Sequence, residues 1–288
     1  MHVLLTGGSG LLGRFIAERL LKDGHQLTAM GRKPLDWAEC DFLVWDLSQK
    51  TMDLPKADVL IHCAFSHVPG KYRGGEGDDP HGFIERNAEG TVCLLEAAKT
   101  AGVRHFVFLS SRAVYSETDN WAVLTEYADT EPDTLYGKVK LVCEQALNSL
   151  CDDTFKGTSL RVTGVYGLAP GLSEHKWSDL FARFEAGEEL SPRLATEVHG
   201  DDLAGAIALL IDGTAASKQP YEVYNVSDLL LDRQDLLRLY AENRSLSEDK
   251  LPARADGPIG VMEPGKLKAL GWMPGGKERL QDFVASLT

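Results

Sequence analysis

The chain has 288 residues, of which 43% are hydrophobic and 25% are charged, a mixture typical of a globular protein rather than a disordered or fibrous one. Its 43 acidic and 30 basic residues give a formal net charge of -13 at pH 7, so the mean field repels nucleic acid and anionic membranes. No apolar run approaches the roughly 18 residues of a membrane span, and the five scattered cysteines show no disulfide or metal-ligand spacing. We therefore expect a cytoplasmic protein with a small-molecule ligand and no metal.

Short runs rich in β-branched and aromatic residues alternate with amphipathic helical patterns through the first half of the chain. This repeated β-α-β order predicts a parallel sheet with helices on both faces, the doubly wound α/β arrangement of a Rossmann-type fold. The predicted strands are Val3–Thr6, Gln26–Met30, Phe42–Trp45, Val59–Cys63, His105–Leu109 and Thr158–Val162. The predicted helices between them are Leu11–Leu21, Gly82–Thr100 and Tyr136–Leu150.

After residue 165 the alternation becomes irregular, and helical patterns surround one strand pattern, Glu222–Val226, a candidate to return to the sheet. We predict a sheet domain over 1–165 and a smaller, mostly helical lobe over 166–288 that supplies substrate contacts. Two loops, 69–80 and 116–134, follow the fourth and fifth strands. They are expected at the carboxyl edge, where such sheets bind ligands. The helical patterns of the lobe are Trp177–Ala186, Asp201–Leu210, Asp232–Ala241 and Gly265–Leu270.

A glycine-rich turn, Thr6–Gly13, links the first predicted strand to the first helix. Gly7 permits a tight turn, Gly10 lets a pyrophosphate approach the backbone, and Gly13 lets helix and strand pack closely. The helix N-terminus would face the phosphates with unpaired N–H groups. A flexible turn also needs glycine, but the β-α-β context favours a dinucleotide site in the domain over 1–165. The predicted contacts are Gly7, Gly10, Leu11, Leu12 and Gly13.

The second predicted strand ends without the acid that would hold the ribose of NAD. Arg32 and Lys33 stand there instead. A guanidinium can bind a 2′-phosphate at two points, and the lysine adds a further positive charge. The pattern therefore favours NADP, while NAD stays possible and a solvated basic turn is the alternative explanation.

Tyr136 and Lys140 are one turn apart on a predicted helix, about 6 Å along its axis. A tyrosine with an ordinary pKa of about 10 is a poor base at neutral pH, and a neighbouring ammonium stabilises its phenolate. This spacing is common on exposed helices. In this chain, however, Ser110 and Ser111 end the fifth strand and place hydroxyls at the same ligand-binding edge. A dinucleotide turn, a Tyr-Lys pair and two serines thus converge.

Several further segments match motifs of one protein family. Ser110–Tyr115 has the form S-S-x-x-V-Y, and Asn87–Ala97 is similar to N-V-x-G-T-x-x-L-L-E-A. Leu160–Gly167 resembles L-R-x-x-N-V-Y-G, Val198–Ala204 resembles H-V-x-D-L-A, and Leu270–Pro274 resembles L-G-W-x-P. With the glycine turn and the Tyr-x-x-x-Lys pair, they make nearly the whole chain resemble the extended short-chain dehydrogenase/reductase family, the NAD-dependent epimerase/dehydratase group.

By this resemblance Tyr136 is the acid/base, Lys140 tunes it and holds the nicotinamide ribose, and Ser111 binds the reacting oxygen. The resemblance implies an NAD(P)-dependent oxidoreductase that transfers hydride at a carbinol or ketone carbon of a sugar-like or nucleotide-sugar substrate, as an epimerase or a ketoreductase. A non-catalytic NADP-sensing or scaffold protein is the alternative, and a homodimer stays open. The further cofactor contacts implied are Asp46, Leu47, Ala64, Phe65, Asn87, Ser110, Val162 and Thr163, besides Tyr136 and Lys140.

A few positions depart from the family pattern. Gly164 stands where the motif has Asn, and Ala195 stands where relatives place Arg. Both changes remove contacts to a diphosphate, which predicts weak binding of a nucleoside diphosphate alone. Arg193 and Arg254 are the candidates for a re-routed phosphate contact. Arg112–Ala113 replaces the acids by which dehydratases eliminate water, so a dehydratase is not expected.

Overall fold

The computed structural model describes residues 1–68, 71, 74–116, 122–212, 219–257 and 259–287. The strands in these residues are β1 (His2–Thr6), β2 (Gln26–Gly31), β3 (Asp41–Val44), β4 (Val59–His62), β5 (His105–Ser111), β6 (Val123–Leu124), β7 (Lys156–Val162), β8 (Gly164–Tyr166), β9 (Leu194–His199), β10 (Tyr221–Val226), β11 (Leu229–Asp232) and β12 (Val261–Met262). The α-helices are α1 (Leu11–Lys22), α2 (Pro80–Ile84), α3 (Gly90–Thr100), α4 (Leu135–Leu150), α5 (Ser178–Glu185), α6 (Gly200–Ile211), α7 (Arg233–Arg244), α8 (Gly265–Ala269) and α9 (Gly276–Ala285).

The main sheet has seven strands in the spatial order β10-β7-β5-β4-β1-β2-β3. Every neighbouring pair in it is parallel, so all seven carboxyl ends lie at one edge. The strand order reverses direction between β1 and β4, which opens a crevice at that edge where ligands bind in such sheets. The predicted doubly wound α/β fold is therefore confirmed.

Each face of the main sheet buries its own hydrophobic core. Leu5 and Ile61 point to the face covered by α1 and α6, whereas Leu4 and Leu60 point to the face covered by α3 and α4. Successive residues of a strand face opposite sides, and both sides are covered, so these strands are hydrophobic almost throughout. This burial is what made the strands visible as apolar runs in the sequence.

Beyond residue 165 the chain contains more strand than predicted. β8, β9 and β11 form a separate three-stranded sheet, and β10 joins the main sheet beside β7, as the pattern over Glu222–Val226 suggested. α6 returns to pack against α1, while α5, α7 and α9 enclose a third core that includes Tyr166 and Phe283. β9 escaped prediction because three of its buried residues, Thr196, Glu197 and His199, are polar. The domain division at residue 165 stays a prediction.

The helix predicted over Gly82–Thr100 is interrupted by a π-helical stretch, Glu85–Glu89, between α2 and α3. Asn87 lies inside this stretch and is buried; its amide donates to the carbonyl oxygens of Phe83 and Ser66. Its side-chain oxygen accepts the N–H of Ser66 at 2.7 Å. The wider turn thus fixes the loop that follows β4. Hydrophobic periodicity carries no signal for such a one-residue change in hydrogen bonding.

His62 forms a buried polar bridge between β1, β4 and α3. Its Nδ1 lies 2.7 Å from Thr6 Oγ1, and its Nε2 lies 3.0 Å from Thr91 Oγ1. Thr91 donates its hydroxyl proton to the carbonyl oxygen of Asn87, so it accepts from Nε2–H, and one neutral tautomer satisfies both contacts. Burial lowers the pKa of His62 to about 3, and the charge of Lys140 acts in the same direction.

The neutral state of His62 predicts acid sensitivity of the fold. Below pH 6.5 the imidazole of His62 is protonated in the unfolded chain, whereas in the folded chain it stays neutral down to about pH 3. The free energy of unfolding therefore decreases as the pH is lowered from 6.5 to 3. Because the unfolded imidazole is half protonated at pH 6.5, the loss between pH 6.5 and pH 4.5 amounts to about 2.3 kcal/mol. Urea unfolding at pH 6.5 and 4.5 should therefore show a smaller loss for His62→Gln than for wild type, by about that amount.

The control for this experiment is the exposed His81→Gln, which should keep the wild-type pH dependence. Burial also lowers the pKa of His105, to about 4, so a loss of the same sign remains in every variant. An unchanged difference between the two pH values in His62→Gln would show that this imidazole does not drive the acid sensitivity.

Candidate active site

The turn after β1 is built for close approach to the backbone. Gly7 has a φ of 71°, and a Cβ on it would lie 2.6 Å from the backbone nitrogen of Ala64. A Cβ on Gly13 would overlap the carbonyl oxygen of Gly7. α1 starts after Gly10, with no side-chain cap from the described residues and no acid in its first turn. The N–H groups at its N-terminus, where Leu11 and Leu12 lie, are therefore available to an anion, as a dinucleotide pyrophosphate requires.

Charged side chains border this crevice beyond β2 and β3. Arg32 and Lys33 are exposed and form no hydrogen bond or ion pair with the rest of the described chain. Asp46 accepts hydrogen bonds from the hydroxyl and the N–H of Ser48, at 2.7 and 2.9 Å. These bonds lower the pKa of Asp46, and the charge of Arg32 adds to the effect. Arg32 and Asp46 therefore lie near one another at the same end of the crevice, and the buried Leu47 follows.

The segment after β4 places Ala64 and Phe65 between the glycine turn and α4. The N–H of Ala64 donates to Thr6 Oγ1 at 3.2 Å. The rings of Phe65 and Tyr136 meet edge to face, with their centroids 5.0 Å apart. Asn87 exchanges two hydrogen bonds with the backbone of Ser66, the next residue of this loop, and so anchors the loop beside the predicted acid/base.

The ammonium of Lys140 is buried beside these rings, with 4% of the residue exposed. Its Nζ donates to the carbonyl oxygen of Leu109 at 2.6 Å and lies 4.3 Å from the ring centroid of Phe65 and 4.8 Å from that of Phe108. The ring of Tyr136 is 5.9 Å away. Burial lowers the pKa of Lys140 to about 8. An ammonium in so apolar a pocket strongly favours a nearby anion, such as a phenolate.

The end of β5 and the start of α4 are in contact. Ser111 Oγ accepts the N–H of Ala113 at 3.1 Å and so caps the 3-10 turn Arg112–Val114. Gly137 lies against this turn, and a Cβ on it would overlap the carbonyl oxygen of Ala113. Glycine at this position therefore lets Tyr136 approach the end of the strand that carries Ser111.

A buried ionic network that sequence reasoning did not single out lies beneath the site. Glu144, one helical turn beyond the lysine, accepts from Arg161 at 2.8 and 3.1 Å and also from the hydroxyl of Ser110. Arg161 donates onward to the hydroxyl of Tyr115 at 2.9 Å, which lies 2.8 Å from the side-chain oxygen of Asn225. The network joins α4, β5, β7 and β10. Ser110, Tyr115 and Arg161 lie in the family motifs found in the sequence, but the only signal for Glu144 was its i, i+4 spacing from Lys140.

After β7 the chain enters the three-stranded sheet of β8, β9 and β11. Val162 pairs in register with Ser111, and Thr163 Oγ1 donates to the carbonyl oxygen of Thr196 at 2.7 Å. Gly164 comes next, and a Cβ there would overlap two side chains: the ammonium of Lys176 and the carboxylate of Glu197. The space that an asparagine would occupy is thus filled by an ion pair.

The two predicted substrate arginines have different surroundings. Arg254 forms a two-point ion pair with Asp235 on α7, and one of its N···O distances is 3.1 Å. Arg193, just before β9, is exposed, and its guanidinium has no hydrogen bond or ion pair within the described part of the chain. Arg193 is therefore the better placed of the two to bind an anion.

Parts of the two loops expected at the crevice, residues 69, 70, 72, 73 and 117–121, lie outside the described residues. Among the residues that the structure describes, no helix is long and apolar enough to cross a membrane. The same residues contain no cluster of three or more His, Cys, Asp or Glu arranged as metal ligands.

Comparison with known proteins identifies the family to which the chain belongs. The sequence profile of the NAD dependent epimerase/dehydratase family matches residues 3–227. The chain belongs to this family. The predicted class, an NAD(P)-dependent enzyme of the epimerase/dehydratase type, is thereby confirmed, while the NADP preference, the homodimer and the roles of single residues stay predictions.

Individual relatives are more distant. The UDP-glucose 4-epimerase of Corynebacterium glutamicum is 28% identical over 309 residues, which cover 95% of this chain and 91% of that protein. The UDP-glucose 4-epimerase of Rhizobium meliloti is 28% identical over 231 residues, and the match covers 77% of this chain but only 63% of the relative. The structure of MoeE5 in complex with UDP-glucose and NAD has a TM-score of 0.79 and 23% identity, with 100% of both chains covered. This likeness shows the shared fold.

The network beneath the site predicts a large penalty for removing one partner. Glu144→Leu leaves Arg161 charged and buried, because the two side chains are only 4% and 7% exposed. Loss of one partner from such a pair costs about 3–5 kcal/mol. The free energy of unfolding in urea should fall by that amount, and Glu144→Leu combined with Arg161→Leu should recover much of it.

Glu248→Leu serves as the matched control, because Glu248 pairs with Arg238 on the surface, where both side chains are more than a third exposed. Its effect should stay within about 1 kcal/mol. A double variant no more stable than Glu144→Leu would show that Arg161 is not the source of the penalty.

Proposed function

We propose that this protein transfers hydride between a bound nicotinamide dinucleotide and a carbinol or ketone carbon of a sugar-like or nucleotide-sugar substrate, in the first instance as a 4-epimerase. The observation that carries the proposal is the buried ammonium of Lys140. It lies 5.9 Å from the ring of Tyr136 and donates to Leu109 on β5, the strand that ends with Ser111. A non-catalytic protein would have no need to keep an ammonium buried against a tyrosine. The names of the relatives support the choice of an epimerase.

The chain's own residues fit the cofactor. The glycine turn and the N-terminus of α1 would hold the pyrophosphate, with Asp46 and Arg32 toward the adenosine end and Lys140 toward the nicotinamide ribose. Bound there, the nicotinamide would accept and return hydride. The loop of Ala64 and Phe65, which lies between the glycine turn and α4, would also contact the cofactor.

The protein's part in the chemistry is to move a proton and stabilise charge. As phenolate, Tyr136 accepts the proton of the substrate hydroxyl, and it returns this proton in the reverse direction. Lys140 stabilises the phenolate as long as its ammonium stays protonated, which a pKa of about 8 permits at neutral pH. Ser111 donates a hydrogen bond to the substrate oxygen, which fixes that oxygen within reach of the tyrosine.

A ketoreductase is the second candidate, because Arg32 and Lys33 are free to bind the 2′-phosphate of NADP, the usual reductant. An epimerase retains its cofactor through each turnover, whereas a reductase releases it. An ultraviolet absorption spectrum of the purified protein distinguishes the two enzymes. A retained cofactor adds the absorbance of the dinucleotide to that of the protein. A protein that releases its cofactor shows the protein absorbance alone until cofactor is added.

Removal of the transferable proton predicts loss of turnover without loss of cofactor. Tyr136→Phe keeps the ring against Phe65 and should lower the conversion of UDP-glucose to its 4-epimer at least about 100-fold, with nearly unchanged affinity for NAD. Lys140→Met should reduce both turnover and cofactor affinity. Tyr127→Phe, at an 86% exposed tyrosine, is the control and should behave as wild type. Retention of more than about a tenth of the activity by Tyr136→Phe contradicts the acid/base role.

The basic turn after β2 predicts a preference for NADP. Two-point binding of a phosphate dianion by Arg32 contributes about 1.5–3 kcal/mol, which is roughly a tenfold to hundredfold tighter dissociation constant for NADP than for NAD. Titration of both cofactors followed by tryptophan fluorescence measures it. Arg32→Ala should abolish the preference, and Arg104→Ala, an exposed arginine at the opposite edge of the sheet, should not. Equal affinities in wild type would refute the preference.

A further inference from the structure

Two side chains of α4 hold the end of β5 at consecutive residues. The ammonium of Lys140 donates to the carbonyl oxygen of Leu109 at 2.6 Å, and the carboxylate of Glu144 accepts a hydrogen bond from the hydroxyl of Ser110. Ser111, the proposed partner of the substrate oxygen, is the next residue of the same strand. Two side chains one helical turn apart therefore fix the strand immediately before Ser111.

The carboxylate of Glu144 has a defined position because Arg161 binds both of its oxygens. Arg161 Nη2 lies 2.8 Å from Oε2, and Arg161 Nε lies 3.1 Å from Oε1. The hydroxyl of Ser110 donates to that same Oε1. A two-point contact with a guanidinium fixes the plane of a carboxylate, so the acceptor for Ser110 is held in one place.

Several titratable groups face the ammonium of Lys140 from the elements packed around it. They are Tyr136, Cys143 and Glu144 on α4, His62 on β4, and Cys63 directly after β4. Burial lowers the pKa of Lys140 to about 8, and the negative charge of Glu144 opposes this lowering. Glu144 therefore favours the charged form of the lysine.

Among these groups, Glu144 is the anion near neutral pH before Tyr136 ionises. Burial raises the pKa of Cys63 to about 12 and that of Cys143 to about 11, so both thiols are neutral at this pH. Burial lowers the pKa of His62 to about 3, so its imidazole is neutral as well. The buried ammonium thus depends on one carboxylate for its negative counterpart.

We propose that Glu144 is a positioning residue of the reaction centre. It holds Ser110 beside Ser111, and it provides the counter-charge for the ammonium of Lys140. This inference rests on the proposed function and adds to it a buried residue that acts through its neighbours. The ammonium stabilises the phenolate of Tyr136 only while it is protonated, so the charge of Glu144 widens the pH range in which the phenolate forms.

The counter-charge is tested by an NMR titration of protein that contains lysine labelled with ¹³C at Cε. Glu144→Gln combined with Arg161→Gln removes both charges and keeps an amide oxygen as the acceptor for Ser110. All samples also carry Tyr136→Phe, so that no phenol titrates together with the lysine at this site. The signal of Lys140 is assigned by its absence in Lys140→Met. Its midpoint should lie near pH 8 without the double substitution and about 1 pH unit lower with it.

Glu222→Gln combined with Lys266→Gln is the matched control. Glu222 and Lys266 form a similar pair between β10 and α8, with side chains 20% and 25% exposed. The midpoint of Lys140 should be unchanged in this control. Urea unfolding shows whether each protein is folded, and Glu144→Leu combined with Arg161→Leu removes the same charges if the amide pair does not fold.

The positioning role is tested by Ser110→Ala, which removes the hydroxyl and keeps every charge. It should lower kcat for the epimerisation of UDP-glucose about tenfold, with nearly unchanged affinity for NAD and an unchanged lysine midpoint. In the double amide variant, kcat should begin to fall at an alkaline pH about 1 unit lower than in wild type, because Lys140 loses its proton at a lower pH. A purely structural role of Glu144 would not move this pH.

The outcomes separate this inference from the proposed function, because the NMR titration needs no substrate. A lowered midpoint in a protein that transfers no hydride on any nucleotide sugar supports the role of Glu144 and contradicts the epimerase. A protein that epimerises UDP-glucose while the double variant keeps the wild-type midpoint supports the epimerase and overturns the counter-charge. Wild-type kcat in Ser110→Ala overturns the positioning of Ser111 through Ser110.

Discussion

The burial of one ammonium constrains much of the architecture around the site. Among the described residues, the carbonyl oxygen of Leu109 accepts a hydrogen bond from Lys140 Nζ, and the rings of Phe65 and Phe108 lie within 5 Å of that atom. Desolvation of a charge is tolerable only if such partners hold their positions closely. α4 must therefore keep one register against β5, and Gly137 and Glu144 fix that register from the two sides of the lysine. Gly137 lets the helix start touch the turn after β5, and Glu144 ties the next helical turn to Arg161 on β7.

A second constraint is the sign of the charge. The acidic surface disfavours anionic ligands in general, so an anion can be bound only where cations lack a nearby carboxylate. Near the carboxyl edge, Arg32, Lys33 and Arg193 form no ion pair with the rest of the described residues. Other prominent cations, such as Arg254 and Arg104, are paired with aspartates. Whether a cation is paired with a carboxylate, and not the total charge of the protein, therefore decides whether that cation is available to an anion.

The sequence predicted what is local in the chain. The glycine turn, the Tyr-x-x-x-Lys spacing and the buried strands are visible because each depends on neighbouring residues and on a regular hydrophobic period. The π-helical stretch, the polar strand β9 and the Glu144–Arg161 pair were missed, because each is set by a partner from another part of the chain. Residue types alone do not reveal that Glu144 meets Arg161, nor that Asn87 reaches the loop after β4.

At residue 164 this chain has glycine where the family motif has asparagine, and the sequence and the structure lead to different interpretations of this change. In the sequence, Gly164 means only that the side-chain amide of the family's asparagine is missing, and with it a predicted contact to phosphate. In the structure, the space beside residue 164 is occupied by the ends of the Lys176 and Glu197 side chains, which would have to shift if residue 164 carried a Cβ. Glu197 in turn could not be buried without the lysine, since a lone buried carboxylate is strongly unfavourable. Gly164, Lys176 and Glu197 therefore form one packed unit, in which the absence of a side chain at residue 164 leaves room for the cation that accompanies the buried carboxylate.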